Sequence, residues 1–419
     1  MLYKSQYSKK EKYIWIMLIV SIFLFNETLR MLMLNKLLSN QTSIWMINIL
    51  FLISSSLLLI TYYNKRNFDN KILFTILILM GLLFMNTIFG RISIISFILF
   101  SITYMIPFLL ISIKIDNIQN LVKVFLKIFN IIIIILTLYG AVDYFTDGSL
   151  QVYMANNWAY GEFQELIYSE HGVIYRMYSF LGHPLSNANL YLIFFVINKV
   201  YNRYFEKIYN DYGLLLITAS GLVLSGSKTA LVLASFLFIF CNGIKKRKYL
   251  YYGLMIIVLI ALFNTSIFQN NLLKRFQYGI EYNNITSGRN DVVQEVVRLG
   301  IKPNFIICGG IDYSRKITIS AMTGAENFEY PLLMLSYDYG VFEAILMYYI
   351  IFIYPSIIFI KNKNYYILIN YLVVFLYVNT NNGLANLGSD SMAIFGFVIM
   401  ILVNISDRHK KLDESLNKI

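Results

Sequence analysis

Charge is what this chain has least of. Only 14% of its 419 residues are Asp, Glu, Lys or Arg, against 58% hydrophobic, whereas soluble domains carry about a quarter charged residues. Water-soluble cores are therefore excluded. Two cysteines rule out a disulfide framework, and three histidines leave little material for a metal centre built on imidazole and thiolate. With only five prolines, long apolar runs go largely uninterrupted.

Those runs are what the chain does have. They recur from residue 13 to residue 405, each near the ~20 residues a helix needs to cross ~30 Å of hydrocarbon. A soluble enzyme on a single anchor is thereby excluded. The pattern predicts an all-α polytopic membrane protein, one transmembrane domain over 1–419, with about 12 crossings. The expected spans are 13–34, 44–62, 72–89, 92–113, 125–145, 185–201, 212–225, 228–243, 249–265, 340–360, 365–380 and 388–405.

The net charge of +12 is placed in short segments between alternate apolar runs, such as Lys65, Arg66 and Lys71, or Lys245 through Lys248. That arrangement orients a membrane protein and does not describe a nucleic-acid surface. Most Lys and Arg fall on the side that holds both termini, and the acidic residues divide the other way, so that side is expected to be cytoplasmic. The charge pattern also favours a hairpin at 212–243 over one long tilted helix. The N-terminal lysines precede an apolar stretch followed by Asn26, Glu27 and Arg30 without a small-x-small cleavage site, which predicts a retained first helix. Cys241 and Cys308 are expected on opposite faces, too far apart to pair.

Two outer segments, 146–184 and 266–339, far exceed the ~4 to 6 residues of an ordinary connection. The first is rich in aromatics, including Tyr153, Trp158 and Phe163, and the second has a helical pattern from Asp291 to Leu299. Both predict folded outer loops carrying short helices. In the first, Arg176 precedes a Gly182-His183-Pro184 break. In the second, Arg289 follows Thr286-Ser287-Gly288, and Gly309-Gly310 and Glu326-Asn327 precede a helix opened by Pro331.

Three patches in this order resemble the O-antigen polymerase and O-antigen ligase superfamily. Arg176 through Pro184 is similar to its R-x-x-(G/S)-x-x-x-x-P patch, and Ser225-Gly226-Ser227-Lys228-Thr229-Ala230 to its (S/G)-R-(S/T)-A turn, with lysine replacing arginine. Ser287-Gly288-Arg289, Cys308-Gly309-Gly310 and Glu326-Asn327 through Gly340 resemble its final patch. Val293 stands where the family commonly has Trp, and Glu343 where a Gly is expected. The resemblance covers about residues 170–345. Acid at position 326, where ligases of the family have His, looks like its capsule and exopolysaccharide polymerases.

The resemblance implies a glycosyltransferase of the bacterial cytoplasmic membrane with its active site facing outside. It would join lipid-linked oligosaccharide repeat units, undecaprenyl-diphosphate-linked substrates serving as donor and acceptor, in company with membrane lipid, a flippase and a chain-length regulator. No nucleic acid and no cofactor are expected. Arg176, Arg289 and Lys228 would neutralise the leaving diphosphate, since a guanidinium binds phosphate bidentately and does not deprotonate. The outer loops hold no D-x-D or His/Cys spacing for a metal, so a metal-independent reaction is the simpler expectation. For the base the first candidate is Glu326, with Asp312, Glu170, His171 and His183 as rivals. A ligase, a protein O-oligosaccharyltransferase or a flippase would share much of this pattern.

Overall fold

The computed structural model describes residues 9–35, 47–159, 161–172, 175–241, 289–321 and 328–416, with a few single positions between 253 and 281. The expected span 249–265 lies outside the described residues. Every named element is a helix, and among the described residues only two isolated bridges, Phe68 to Ile113 and Ser179 to Gly182, interrupt this.

The chain begins with α1 (Lys9–Phe23) and α2 (Glu27–Asn35), which the sequence suggested as one span. They are bent by 78°. The cause is Asn26: its Oδ1 accepts from the Leu29 amide and caps α2, while its Nδ2 donates to Leu181 O. Carbonyls released at the break are taken up by side chains, Ser21 O and Phe25 O by Asn48 Nδ2 and Phe25 O also by Arg30 Nη1. An asparagine ahead of a glutamate inside an apolar run was the signal for this break.

Next come α3 (Ile49–Asn64), α4 (Asn70–Ile88), α5 (Ile94–Ile111) and α6 (Ile118–Phe145). Two short helices follow, α7 (Ser149–Asn157) and α8 (Glu162–Glu170), then α9 (Pro184–Tyr204), α10 (Asp211–Ser225) and α11 (Lys228–Phe240). Past the gap lie α12 (Arg289–Arg298), α13 (Tyr313–Ser320), α14 (Pro331–Tyr339), α15 (Val341–Lys361), α16 (Tyr365–Val378) and α17 (Ser391–Leu416). Five of these, α4, α5, α6, α15 and α17, are long and apolar enough to cross a membrane, and the bent α1–α2 pair would make a sixth. Helices α3, α10, α11 and α16 are apolar but shorter. Phe74, Leu77, Phe84 and Ile88 leave α4 with a large exposed apolar face, which hydrocarbon solvates and water does not.

Helix α9 is buried on every side from Asn187 to Tyr201 and forms the centre of the bundle, packed by α6, α10 and α16. Two of its polar residues are matched: Asn198 and Asn130 exchange two amide hydrogen bonds of 3.0 and 2.9 Å, and Lys199 pairs with Asp211 at 2.8 Å. The close approach of α10 depends on Gly221, where a Cβ would fall 2.1 Å from the Tyr191 ring. Tyr191 is fully buried and its hydroxyl lies 3.0 Å from Thr137 Oγ1, so the ring has nowhere to go. Gly221→Ala should cost about 1–3 kcal/mol, read as a lowered melting temperature in detergent; an unchanged value would show that Tyr191 repacks freely.

Helices α5 and α15 each contain a π turn, Ser101–Met105 and Tyr349–Ile353, shortly before Pro107 and Pro355. Proline cannot donate to the helical ladder, and the wider turn accommodates its ring. The Tyr371 hydroxyl donates to Ile351 O within the second of these turns.

Between α10 and α11 the chain reverses at Gly226, whose φ of +64° is left-handed, and Ser227 Oγ caps the following helix. Helix α11 runs antiparallel to α16: Ser227 meets Tyr377 at one end, while Phe240 stacks on Tyr366 at the other. Opposite the Gly226 end lie the pairs Lys65–Glu11, Lys114–Asp69 and Lys123–Glu206. Cys241 and Cys308 are both free thiols.

Candidate functional site

At the Gly226 end, elements distant in sequence converge. The Met177 amide donates to Leu224 O, Tyr377 Oη donates to Leu185 O and lies 3.3 Å from Ser227 Oγ, and Asn26 holds Leu181. Arg176 and Arg289, 113 residues apart in sequence, both act electrostatically on the Tyr377 hydroxyl. Lys228, half-buried, opens α11 directly after Ser227. Two of the three cations suggested by sequence thus bear on one tyrosine, and the third opens the helix whose cap meets it.

Each arginine is held by a carboxylate. Arg176 Nη1 bonds Glu170 Oε1 at 2.8 Å with its side chain 11% exposed, and its Nε is buried with no hydrogen-bond partner among the described residues. Arg289 Nε bonds Glu329. Glu170, a rival for the base, is therefore engaged with Arg176. Glu326 lies outside the described residues. His171 is exposed just beyond α8, and Asp312 is exposed at the start of α13 in a left-handed conformation; neither lines the cavity described below.

His183 does line it. As the residue before Pro184 it has extended backbone and caps α9, its Nδ1 accepting from the Leu185 amide at 3.2 Å. A neutral imidazole accepting at Nδ1 carries its proton on Nε2, which makes Nε2 a donor. Burial, with Arg176 beside it, pushes its pKa down from 6.5 to about 3. Below about pH 6.5 the unfolded chain takes up a proton there that the folded protein refuses, so stability falls from pH 6.5 towards 3 and is unaffected above that window. His183→Gln should flatten this acid slope in melts between pH 4.5 and 7. An identical slope would show that the native ring does protonate.

The cavity has a volume of about 660 Å³, within the usual range of ligand sites. Its walls come from the α1–α2 break, α8, the start of α9, Glu329 and the loop 379–390. That loop contributes Asn381, Asn382 and Asn386, and α9 contributes Asn189. Beneath lies Asp390, which Arg30 binds at 2.7 Å; the Arg30 side chain is 1% exposed. Glu27 lines the same floor and feels both Asp390 and Arg30. Glu27, Arg30, Glu329 and Asp390 are not among the site residues expected from the sequence. The signals were a Glu-x-x-Arg spacing inside an apolar run and the amide-dense Asn379-Thr380-Asn381-Asn382 between two spans.

The final family-like patch has a packing role. Gly309 and Gly310 donate their amides to Tyr337 O and Asp338 O, and a Cβ on Gly309 would fall 2.7 Å from Tyr337 O. Glu343, which replaces the expected glycine, is buried and accepts from Asn86 Nδ2 at 2.9 Å, while Asn86 Oδ1 accepts from the Cys308 amide. It ties α15 to α4 and to this turn.

Comparisons of the chain with protein-family models, with curated proteins and with solved structures returned no match.

Proposed function

We propose that this protein polymerises lipid-linked oligosaccharide repeat units into a surface polysaccharide, by glycosyl transfer from polyprenyl diphosphate at the outer face of the bacterial cytoplasmic membrane. The observation that carries the reading is that two arginines distant in sequence, Arg176 and Arg289, both act electrostatically on Tyr377 beside a polar cavity. An acceptor hydroxyl attacks the anomeric carbon, the bond from that carbon to the diphosphate breaks, and the electron pair leaves with the diphosphate. The two guanidiniums and Lys228 stabilise that charge. His183 donates from Nε2 to an oxygen of the substrate. Glu326 remains the proposed acceptor of the hydroxyl proton.

About 12 crossings, two outer loops and cytoplasmic termini complete the reading, since the ion pairs and lysines at the end opposite the cavity fit the cytoplasmic side. An impermeant maleimide applied to intact cells should label Asn156→Cys and spare Lys207→Cys, both exposed positions at opposite ends; the reverse pattern would invert the topology.

The deciding experiment supplies purified protein in proteoliposomes with a lipid-linked repeat unit. A ladder of lengthening chains supports polymerisation, and its loss in Glu326→Gln supports the base. Transfer only onto a lipid A core or protein acceptor would make the protein a ligase or oligosaccharyltransferase, and movement of the substrate without transfer would make it a flippase.

A further inference from the structure

The cavity wall has a chemical bias. Four carboxylates line it, Glu27, Glu162, Glu329 and Asp390, and among the described residues no lysine or arginine does. Two of the four are neutralised from behind, Asp390 by Arg30 and Glu329 by Arg289. Glu27 and Glu162 form no ion pair among the described residues. At pH 8.5, with Glu27 and Glu162 ionised, the cavity keeps a net negative potential while the cations stand at its rim.

A second observation marks it as a ligand site. Asn189 is 8% exposed, lines the cavity, and its Oδ1 is buried with no hydrogen-bond partner among the described residues. A buried amide oxygen without a donor is costly in a finished core, and a bound hydroxyl or amide N–H would satisfy it. The remaining amides, with Glu27, offer the mixed donors and acceptors that suit hydroxyl-rich ligands.

We infer that this cavity seats the sugar portion of the substrate and selects glycan units that carry no carboxylate, Glu27 being the residue that repels an acidic sugar. The diphosphate stays outside, with Arg176 and Arg289. This rests on the proposed glycosyl transfer for the identity of the ligand, and on the cavity alone for its charge.

The test uses full-length protein in nanodiscs at pH 8.5 and two trisaccharides, neutral chitotriose and acidic trigalacturonate, with binding read by saturation-transfer NMR. Chitotriose should bind at least tenfold more tightly. Asn189→Leu should weaken chitotriose at least tenfold, Glu27→Gln should narrow the preference at least threefold, and Glu27→Asp, which keeps the charge, should retain it. Equal binding of the two sugars, no binding of either, or an unchanged preference in Glu27→Gln overturns the inference. Failure of the two proposals separates cleanly. A protein that binds chitotriose as described yet builds no chains keeps the cavity assignment and loses the polymerase reading, whereas one that polymerises uronic-acid repeat units keeps the reading and loses the assignment.

Discussion

Arg176→Lys and Arg289→Lys should each reduce chain formation by about 100-fold or more, the scale set by removal of a single transition-state donor in other enzymes. Lysine keeps the charge, so loss of activity in these variants isolates the planar fork that grips two phosphate oxygens at once. Arg176 is the more sensitive position. Glu170 occupies one nitrogen while the buried Nε has no partner among the described residues, so a substrate oxygen can be added without breaking the existing pair. Arg289 is held by Glu329 at the cavity wall, and Glu329→Gln should weaken that hold while leaving the cation in place. The measurement is the product ladder from proteoliposomes, normalised to inserted protein. Wild-type ladders from both lysine variants would remove the arginines from the reaction.

The largest stability effect is expected at Arg30. Its pair with Asp390 is buried, and truncating one partner of such a pair costs about 3–5 kcal/mol because the other charge is left without compensation. Arg30→Met should lower the melting temperature steeply, and Asp390→Leu alone should do the same. The double variant should recover most of the loss, since neither charge of the pair is then left unmatched. Phe25 O would still be held by Asn48 Nδ2 at 3.1 Å, so the helix break itself survives. Scanning fluorimetry of detergent-purified protein decides this: a double variant as unstable as either single would mean that Arg30 acts mainly through the backbone.

Long apolar helices were the most legible part of the sequence. The expected 72–89, 92–113 and 340–360 correspond to Asn70–Ile88, Ile94–Ile111 and Val341–Lys361, because hydrocarbon length and composition set those ends. Helix α6 begins at Ile118, seven residues ahead of the expected 125, since Asn117 caps an initial amphipathic turn that hydropathy alone passes over. The first expected span hides a bend for the opposite reason. Its apolar count continues through a break that one asparagine creates. Arg176, Arg289 and Lys228 were legible as residues of the family-like patches, and the fold brings the first two to bear on Tyr377. Asp390 and Glu27 were not, because their meeting depends on the 78° bend of α1 and α2, a tertiary feature with no periodic trace.

Several helices that end on the cavity side of the bundle are short. Helix α1 has 15 residues, α10 15, α11 13 and α16 14, which at ~1.5 Å per residue is about 20–22 Å, well under the ~30 Å of a bilayer core. With these as membrane spans, the lipid around this end must thin to meet them. The chamber then sits below the level of the surrounding headgroups. A polyprenyl-anchored substrate in that thinned ring would present its diphosphate to Arg176 and Arg289 without being lifted out of the leaflet, and activity should depend on acyl-chain length, rising in shorter-chain lipids.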